Sequence, residues 1–481
     1  MSFLKKNRSI HEMDLTSGHL FWKIPLFALP LALTTAFQLL YTTIDLWTVS
    51  TFGGGSTSMA AVGSNGALIN LIITIFFSLS LGANVALSNA KGAGDRDYAA
   101  RVLHTALILA LVLGVGIGVF GFFVSPILLE AMGTIPSILE KATTYLKIYF
   151  LGAPFIMIYN YSAQMLRALG DSKRPLYILA ISGIVNVLFD FLFVYFLDLD
   201  VAGVAWATVI SQGVSALLAV LIWVFNKQGY VRLNPKRLKI DRRSLTEIIR
   251  IGLPAGIQGF AFSLPNVLIQ SSLYTITNTE ISIDDIVAGS SASGQIEHYI
   301  YAIIESISAS CIAFVGQNYG ARKTENIKKV FWYCQAWNLI LVGLFSGLSY
   351  LFADPLLLLF IRDSEGINVA DALAAGKQRL LVFALTYVLD GVMDIDNSYC
   401  RGMKYSLPPA IIILLGCTGT RILFLFTLFQ LDYFHTVFWL YAAYPISWMV
   451  VILVYIPVIH IIQKKAFARI DKLPPIAPKT T

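Results

Sequence analysis

The sequence is poor in charged residues and lacks the common catalytic motifs. Asp, Glu, Lys and Arg make up 13% of its 481 residues, whereas soluble domains hold about a quarter. It contains no GxxxxGK[ST] phosphate loop and no HExxH, GxSxG or CxxC motif. These absences argue against a soluble enzyme and against transport driven by ATP. We expect a chain without enzymatic activity.

Cysteine is also scarce, and no cleavable leader is apparent. The four cysteines lie in or beside apolar runs and lack metal-ligand spacing, so we expect them to pack in the core: Cys311, Cys334, Cys400 and Cys417. The stretch before residue 20 is polar and has no apolar core. We therefore expect the first apolar run to be a span and not a signal peptide.

Long apolar runs are what the sequence has in abundance, since 57% of its residues are hydrophobic. A helix needs about 20 apolar residues to cross a bilayer, and the runs are continuous, unlike the alternating strands of a membrane barrel. We predict twelve transmembrane helices, numbered as spans 1 to 12, at residues 20–50, 59–87, 99–126, 140–166, 175–197, 201–225, 246–275, 286–315, 329–352, 373–400, 407–431 and 436–462.

The formal net charge of +7 indicates membrane orientation and not a nucleic-acid partner, because the basic residues are dispersed through short gaps. Every second gap is basic, and the largest group falls between residues 226 and 245. The opposite gaps are neutral or acidic, as at Asp198 and Asp200. Lys and Arg favour the cytoplasmic side, so we predict an inner-membrane protein with both termini in the cytoplasm.

The two halves of the chain resemble each other. Asn89–Val102 and Gln317–Val330 each carry a Gly-Ala pair after an even-numbered span, and Pro30 matches Pro254. We predict an all-α membrane protein with two six-helix lobes related by a pseudo-two-fold axis along the membrane normal. Such paired lobes favour a transporter. The predicted domains are a first lobe, a basic cytoplasmic linker, a second lobe and a cytoplasmic tail, at 1–225, 226–245, 246–462 and 463–481.

Polar side chains fall at one predicted depth in the first lobe. Asp45, Asp190 and Thr208 each lie about 12 Å below the outer surface at about 1.5 Å of rise per residue. Asn186 precedes Asp190, and Tyr41 precedes Asp45, by one helical turn each. Two neighbouring carboxylates in a medium of low dielectric constant must share a proton or hold a cation. The oxygen ligands of Asp, Asn and Thr suit a hard cation such as Na⁺, so the pattern leaves both H⁺ and Na⁺ open.

The second lobe has acids of its own. Asp390 lies near mid-membrane in span 10 and Glu297 lies in span 8. Ionisable groups at such depth are costly and usually functional. We predict that both line a substrate cavity, which would then suit cationic compounds. Asp394 and Asp396 are nearer the cytoplasm, and we expect them to contact water.

Three motifs resemble those of the MATE (multidrug and toxic compound extrusion) transporters: MLRALGDSKRP after span 4, FVGQNYGARK after span 8 and CRGMKYSLPP after span 10. With the twelve-span plan, the resemblance covers essentially the whole chain. It is closest to the DinF-like branch, in which an acid in span 1 works with an Asn and an Asp in span 5 and a Thr in span 6. The residues matching that pattern or its polar neighbours are Asp45, Asn186, Asp190, Thr208, Tyr41, Tyr145 and Asn160.

The chain departs from the NorM-like branch, which uses a Glu in span 7 with an Asp in span 10. Asp390 matches the latter, but span 7 contains no acid. That difference leaves Asp390 as a residue of the substrate cavity, where we also expect Tyr145, Glu297, Gln258 and Asn266. The predicted ion-coupling residues are Asp45, Asp190, Asn186, Thr208, Tyr41 and Asn160, and the first four could hold Na⁺.

The resulting hypothesis is an antiporter that exports organic, mainly cationic, compounds and is driven by inward Na⁺ or H⁺. We expect no cofactor beyond the coupling ion, and no partners beyond substrate, ion and lipid, with the chain acting as a monomer. The alternative is a flippase for lipid-linked envelope precursors, for which a buried cation such as Arg421 would be relevant; we expect Arg421 to pair with an acid. The glycines of GVGIGVFG, residues 114–121, are expected to permit close helix packing.

Overall fold

The computed structural model describes residues 12–227, 229–276, 281–361 and 367–473, and within these residues it is helical with no strand. Eleven helical segments of this described part are long and apolar enough to cross a membrane. The α-helices are α1 Leu20–Phe52, α2 Gly55–Ala93, α3 Arg96–Ala131, α4 Pro136–Leu151, α5 Ala153–Ala168, α6 Lys173–Asp190, α7 Asp200–Phe225, α8 Arg242–Ser272, α9 Ile283–Gly320, α10 Thr324–Leu351, α11 Ala353–Leu358, α12 Val369–Gly402, α13 Leu407–Ile413, α14 Thr420–Phe426 and α15 Val437–Asp471.

The predicted fourth span is a broken helix. Its residues form α4 and α5, of 16 residues each, which meet at Gly152. Pro154 lies in the first turn of α5, where its missing N–H costs nothing but where it cannot continue the hydrogen bonding of a preceding helix. Together, these two short helices bring the eleven long segments to the twelve predicted spans, and the predicted all-α membrane fold is confirmed.

Two of the spans contain π-helical turns. Phe191–Phe196 continues α6 beyond Asp190. In the second half, Leu414–Gly419 connects α13 to α14. These turns occupy spans 5 and 11, which correspond to each other in the predicted repeat. A π-helical turn changes the direction of the side chains around it and is common at functional sites.

Glycines of α3 permit close packing, as predicted. A Cβ added at Gly114 would lie 2.5 Å from Cα of Pro154, and one at Gly118 would lie 2.8 Å from the carbonyl oxygen of Phe150. A Cβ at Gly116 would have no neighbour within 4 Å. One face of α3 thus touches the α4–α5 pair at backbone distance.

The chain divides into two compact units. Unit 1 consists of the described residues up to Thr16 and of Leu29–Gly256, and unit 2 consists of Ser17–Ala28 and of the described residues from Ile257 onward. The starts of α1 and α8 therefore belong to the unit opposite to the rest of each helix, and the crossing points lie beside Pro30 and Pro254. The predicted limits of lobes, linker and tail remain predictions.

The basic linker is held against unit 1. The backbone N–H of Asn234 donates to Nε2 of His104 at 3.1 Å, and that of Asp241 donates to Oγ1 of Thr105 at 2.9 Å. Both acceptors lie on α3. The segment before α8 is therefore bound to the N-terminal third of α3.

Candidate ion-coupling site

Four of the predicted coupling residues come together in unit 1. Asp45 on α1 contacts Asp190 and Asn186 on α6. Thr208 on α7 lies with its Oγ1 at 3.4 Å from Oδ2 of Asp45, and that hydroxyl also donates to the carbonyl of Val204 at 2.9 Å. Asp45, Asn186 and Asp190 are 8%, 3% and 0% exposed. Three helices thus bring two carboxyl groups, an amide and a hydroxyl into one buried cluster.

The cluster has more acceptors than donors. Oδ1 of Asp45, both carboxyl oxygens of Asp190 and Nδ2 of Asn186 are buried without a hydrogen-bond partner. Unpaired buried polar atoms cost about 1–3 kcal/mol each, and more when charged. A proton shared between the carboxyls, or a cation between them, would relieve both the repulsion and the missing bonds.

The helix geometry explains why these side chains converge. Asn186 and Asp190 are one turn apart on α6 and therefore share a face. Asp190 is the last residue before the π-helical turn Phe191–Phe196. The same face of α6 holds Gly183, where a Cβ would lie 1.9 Å from Cζ of Tyr41. The absent side chain at Gly183 lets α1 and α6 approach closely enough for Asp45 to reach Asp190.

Tyr145 belongs to this cluster, as its resemblance to a polar neighbour of the coupling site implies, although we also predicted it for the substrate cavity. It is buried on α4, contacts Thr208, and lies close enough to Asp45 and Asp190 to interact electrostatically with both. Tyr149 stacks on it with ring centroids 6.1 Å apart.

Tyr149 and Gln212 are neighbours that the sequence analysis missed. Tyr149 contacts Gln212 of α7. They follow Tyr145 and Thr208, respectively, by one helical turn, so the rule that places such residues on one face could have found both.

Tyr41 and Asn160 are not brought to the carboxyl groups. The phenol of Tyr41 donates to the carbonyl of Leu179 at 2.6 Å. Leu179 lies about two helical turns before Asn186. Tyr41 therefore joins α1 to α6 and does not contact Asp45 by a hydrogen bond. Asn160 is half-buried on α5, and within the described residues no hydrogen bond connects it to the cluster.

Glu297, which we predicted to line a substrate cavity, is bound by a base, and its place in a cavity stays a prediction. Arg379 of α12 donates two hydrogen bonds of 2.7 Å to this carboxylate, from Nε to Oε1 and from Nη2 to Oε2. The hydroxyl of Ser293 donates a third, at 3.1 Å. Both side chains are largely buried. The pair is therefore neutral overall, and Glu297 is not a free carboxylate for a cationic substrate.

Arg421 does not pair with an acid, contrary to our expectation. It is fully buried, and its guanidinium donates to Ser447 at 2.9 Å and to Asn266 at 3.0 Å. The ring centroid of Tyr444 lies 4.2 Å from Cζ of the same guanidinium. No carboxylate lies within 4.0 Å of it among the described residues, and Asp390 acts on it only through space. Hydrogen bonds and aromatic faces take the place of an ion pair.

The other three predicted cavity residues of unit 2 are Asp390, Gln258 and Asn266. Asp390 is 4% exposed on α12. Gln258 accepts a 2.6 Å bond from Nη2 of Arg401. Gln258 and Asn266 of α8 are thus each tied to a buried arginine.

Asp396 is buried as well, so the expectation that it contacts water is wrong. It is 4% exposed and accepts a 3.0 Å bond from Nε2 of Gln335 on α10.

Within the described residues, no group of three or more His, Cys, Asp or Glu side chains is placed to hold a metal ion. A cation in unit 1 would therefore have two carboxylates and the neutral oxygens of Asn186 and Thr208 as side-chain ligands. That oxygen set fits Na⁺ and does not fit a transition metal.

Paired helical units, buried acids and membrane-spanning helices define a membrane transporter. The model of the MatE family matches residues 30–192 and again residues 263–427. The chain therefore belongs to the MATE family of transporters, and it is not an enzyme. The same family model fits once in each half, as the predicted internal repeat requires.

Known relatives extend over most of the chain. "Probable multidrug resistance protein YpnP" of Bacillus subtilis is 28% identical over 390 residues, which cover 81% of this chain and 84% of the relative. "Probable multidrug resistance protein NorM" of Thermotoga maritima is 25% identical over 76% of each chain. A solved structure of a multidrug resistance MATE family transporter in the outward-facing conformation superposes with a TM-score of 0.84 at 23% identity, covering 97% of this chain and all of that one. The structural similarity confirms the fold.

Proposed function

We propose that this MATE transporter is an antiporter of the inner membrane that exports organic, mainly cationic, compounds and is driven by inward Na⁺ or H⁺. The observation that carries the proposal is the buried contact between Asp45 and Asp190, in which three of the four carboxyl oxygens lack a hydrogen-bond donor. The names of the relatives, which describe multidrug resistance proteins, support the substrate class.

The cluster can couple an ion to a conformational change. Asp45 is on α1, whereas Asn186 and Asp190 are on α6 and Thr208 is on α7. An ion that neutralises the two carboxyls favours the arrangement in which the three helices meet. A ligand can drive a transition only through such a difference in affinity between states.

The test is efflux of ethidium from vesicles that carry the wild type or Asp45→Asn, with Na⁺ and pH gradients imposed separately. We expect efflux under one gradient, which identifies the coupling ion, and its loss in Asp45→Asn. Asp97→Asn, which changes an exposed acid of the same unit, is the matched control and should transport normally. A folded wild type without efflux under either gradient, or an Asp45→Asn variant with full efflux, would contradict the proposal.

A flippase for lipid-linked precursors is the second candidate, because unit 2 contains a buried cation without an ion pair. One guanidinium nitrogen of Arg421, Nη2, has no hydrogen-bond partner and could receive a phosphate. Translocation of a fluorescent polyprenyl phosphate in the same vesicles, with no ethidium efflux, would favour this candidate.

A further inference from the structure

Unit 2 contains a cleft of about 700 Å³ that is lined by none of the candidate coupling or cavity residues. Its walls come from α10, α12 and α15, and include Trp332, Gln335, Leu339, Tyr399 and Ile456 with Asp396. A cleft of this volume is within the range of sites for small organic ligands.

The rim of the cleft carries large apolar side chains that are exposed. Trp332, Leu339 and Ile456 are 67%, 64% and 64% exposed, and all three lie on helices long and apolar enough to span the membrane. Large apolar side chains left uncovered on such helices face lipid hydrocarbon. A ligand could therefore enter from the membrane without passing through water.

The mostly apolar cleft contains one carboxylate, and its lining also includes Lys328 and His460. Asp396 lines it and has one donor, Gln335. Oε1 of Gln335 is itself buried without a donor. No basic side chain lies within 4.0 Å of Asp396 in the part of the chain that the structure describes. Lys328, at one end of the cleft, already pairs with Glu325 at 3.2 Å.

We propose that this cleft is a binding site for lipophilic amines that partition into the bilayer. The ammonium group would pair with Asp396 and donate to Oε1 of Gln335, and its chain would lie along Leu339 and Ile456. Phe331 and Tyr399, with ring centroids 4.7 Å apart, offer aromatic faces that attract cations. Binding of an amine to this cleft does not depend on the proposed antiport. Only a role of the cleft in delivering substrate would rest on the proposed antiport.

The test is photolabelling of the full-length protein in nanodiscs with a dodecylamine that carries a diazirine in its chain. Mass spectrometry then maps the labelled peptides. We expect labels on α10, α12 and α15 that unlabelled dodecyltrimethylammonium displaces. Asp396→Asn should reduce these labels at least about tenfold, which corresponds to losing one buried ionic contact.

Three further variants separate binding from folding. Gln335→Leu should weaken labelling by removing the second acceptor. Trp332→Ala should also weaken it, whereas Trp22→Ala, a change at an equally exposed tryptophan of the same unit outside the cleft, should not. Labelling that persists in both Asp396→Asn and Gln335→Leu would overturn the proposal, as would displacement by phosphatidylglycerol but not by the ammonium compound, which would indicate a lipid site.

Discussion

At the scale of single residues, the two units place their buried acids in different surroundings. In unit 1, Asp45 and Asp190 contact each other, and among the described residues no basic side chain lies within 4.0 Å of either. In unit 2, Glu297 is bound by Arg379. The sequence was sufficient to predict that Asp45, Asp190, Asp390 and Glu297 are buried, because apolar runs surround them, but it did not predict the burial of Asp396. It could not predict the partner of Glu297, because Arg379 is 82 positions away on another helix.

The pair of Glu297 and Arg379 leads to a stability prediction. Glu297→Gln should lower the free energy of unfolding by about 3–5 kcal/mol, because it leaves a buried guanidinium without its counter-charge. Thermal unfolding of the purified protein in detergent measures the effect. Glu297→Gln combined with Arg379→Met should recover part of the loss. Equal melting temperatures for wild type and Glu297→Gln would show that the ion pair does not stabilise unit 2.

At the scale of helices, the apolar runs predicted where the spans lie but not their interruptions. The break at Gly152 and the short helix α11 were not predicted, because a run of apolar residues has no period that marks a local break. The π-helical turn after Asp190 was missed for the same reason. This turn lies directly beside the candidate site. The segments that hydrophobicity predicts least well therefore include one that positions a candidate site residue.

The glycine face of α3 gives a matched pair of variants. Gly114→Leu should destabilise the protein by at least about 1–3 kcal/mol, because its side chain would overlap the backbone of Pro154. Gly116→Leu, on the same helix but with open space around it, should be tolerated. The yield of monodisperse protein and its melting temperature provide the comparison. Equal losses for the two variants would contradict close packing on one face only.

The start of α8 is stabilised by a cap whose strength depends on pH. Oδ2 of Asp241 accepts bonds of 2.7 Å and 2.8 Å from the hydroxyl and the N–H of Ser244, and these bonds hold the pKa of Asp241 below its ordinary value. The nearby charges are Arg101 and Arg243. The stabilisation is complete above the ordinary pKa and is lost as the pH falls through the lowered one.

Pepsin cleavage of the linker, followed from about pH 5 to about pH 2, tests this dependence. We expect the wild-type linker to become more susceptible at the acid end, relative to Asp241→Asn. Asn keeps a capping oxygen but has no carboxyl group to titrate. Parallel pH profiles for the two proteins would show that Asp241 does not anchor the linker.

At the scale of the whole molecule, the duplication was predicted from short motifs, and the two matches of one family model confirm it. The exchange of helix starts between units was not predicted. A repeat in sequence gives the order of the elements, whereas the exchange depends on which surfaces the first turns of α1 and α8 contact. Motifs do not contain that information.

Orientation in the membrane is the last prediction, and it rests on charge asymmetry. Lys and Arg are retained on the cytoplasmic side, so the linker should lie inside and the segment between α14 and α15 outside.

Lys236→Cys and Asp432→Cys place probes at exposed positions of the two segments. The four native cysteines are buried and can be replaced by alanine to remove background. A membrane-impermeant maleimide should label Asp432→Cys in spheroplasts and Lys236→Cys only after permeabilisation. The reverse pattern would contradict the predicted orientation, because it would place the linker outside and the first-unit carboxyls nearer the cytoplasmic surface.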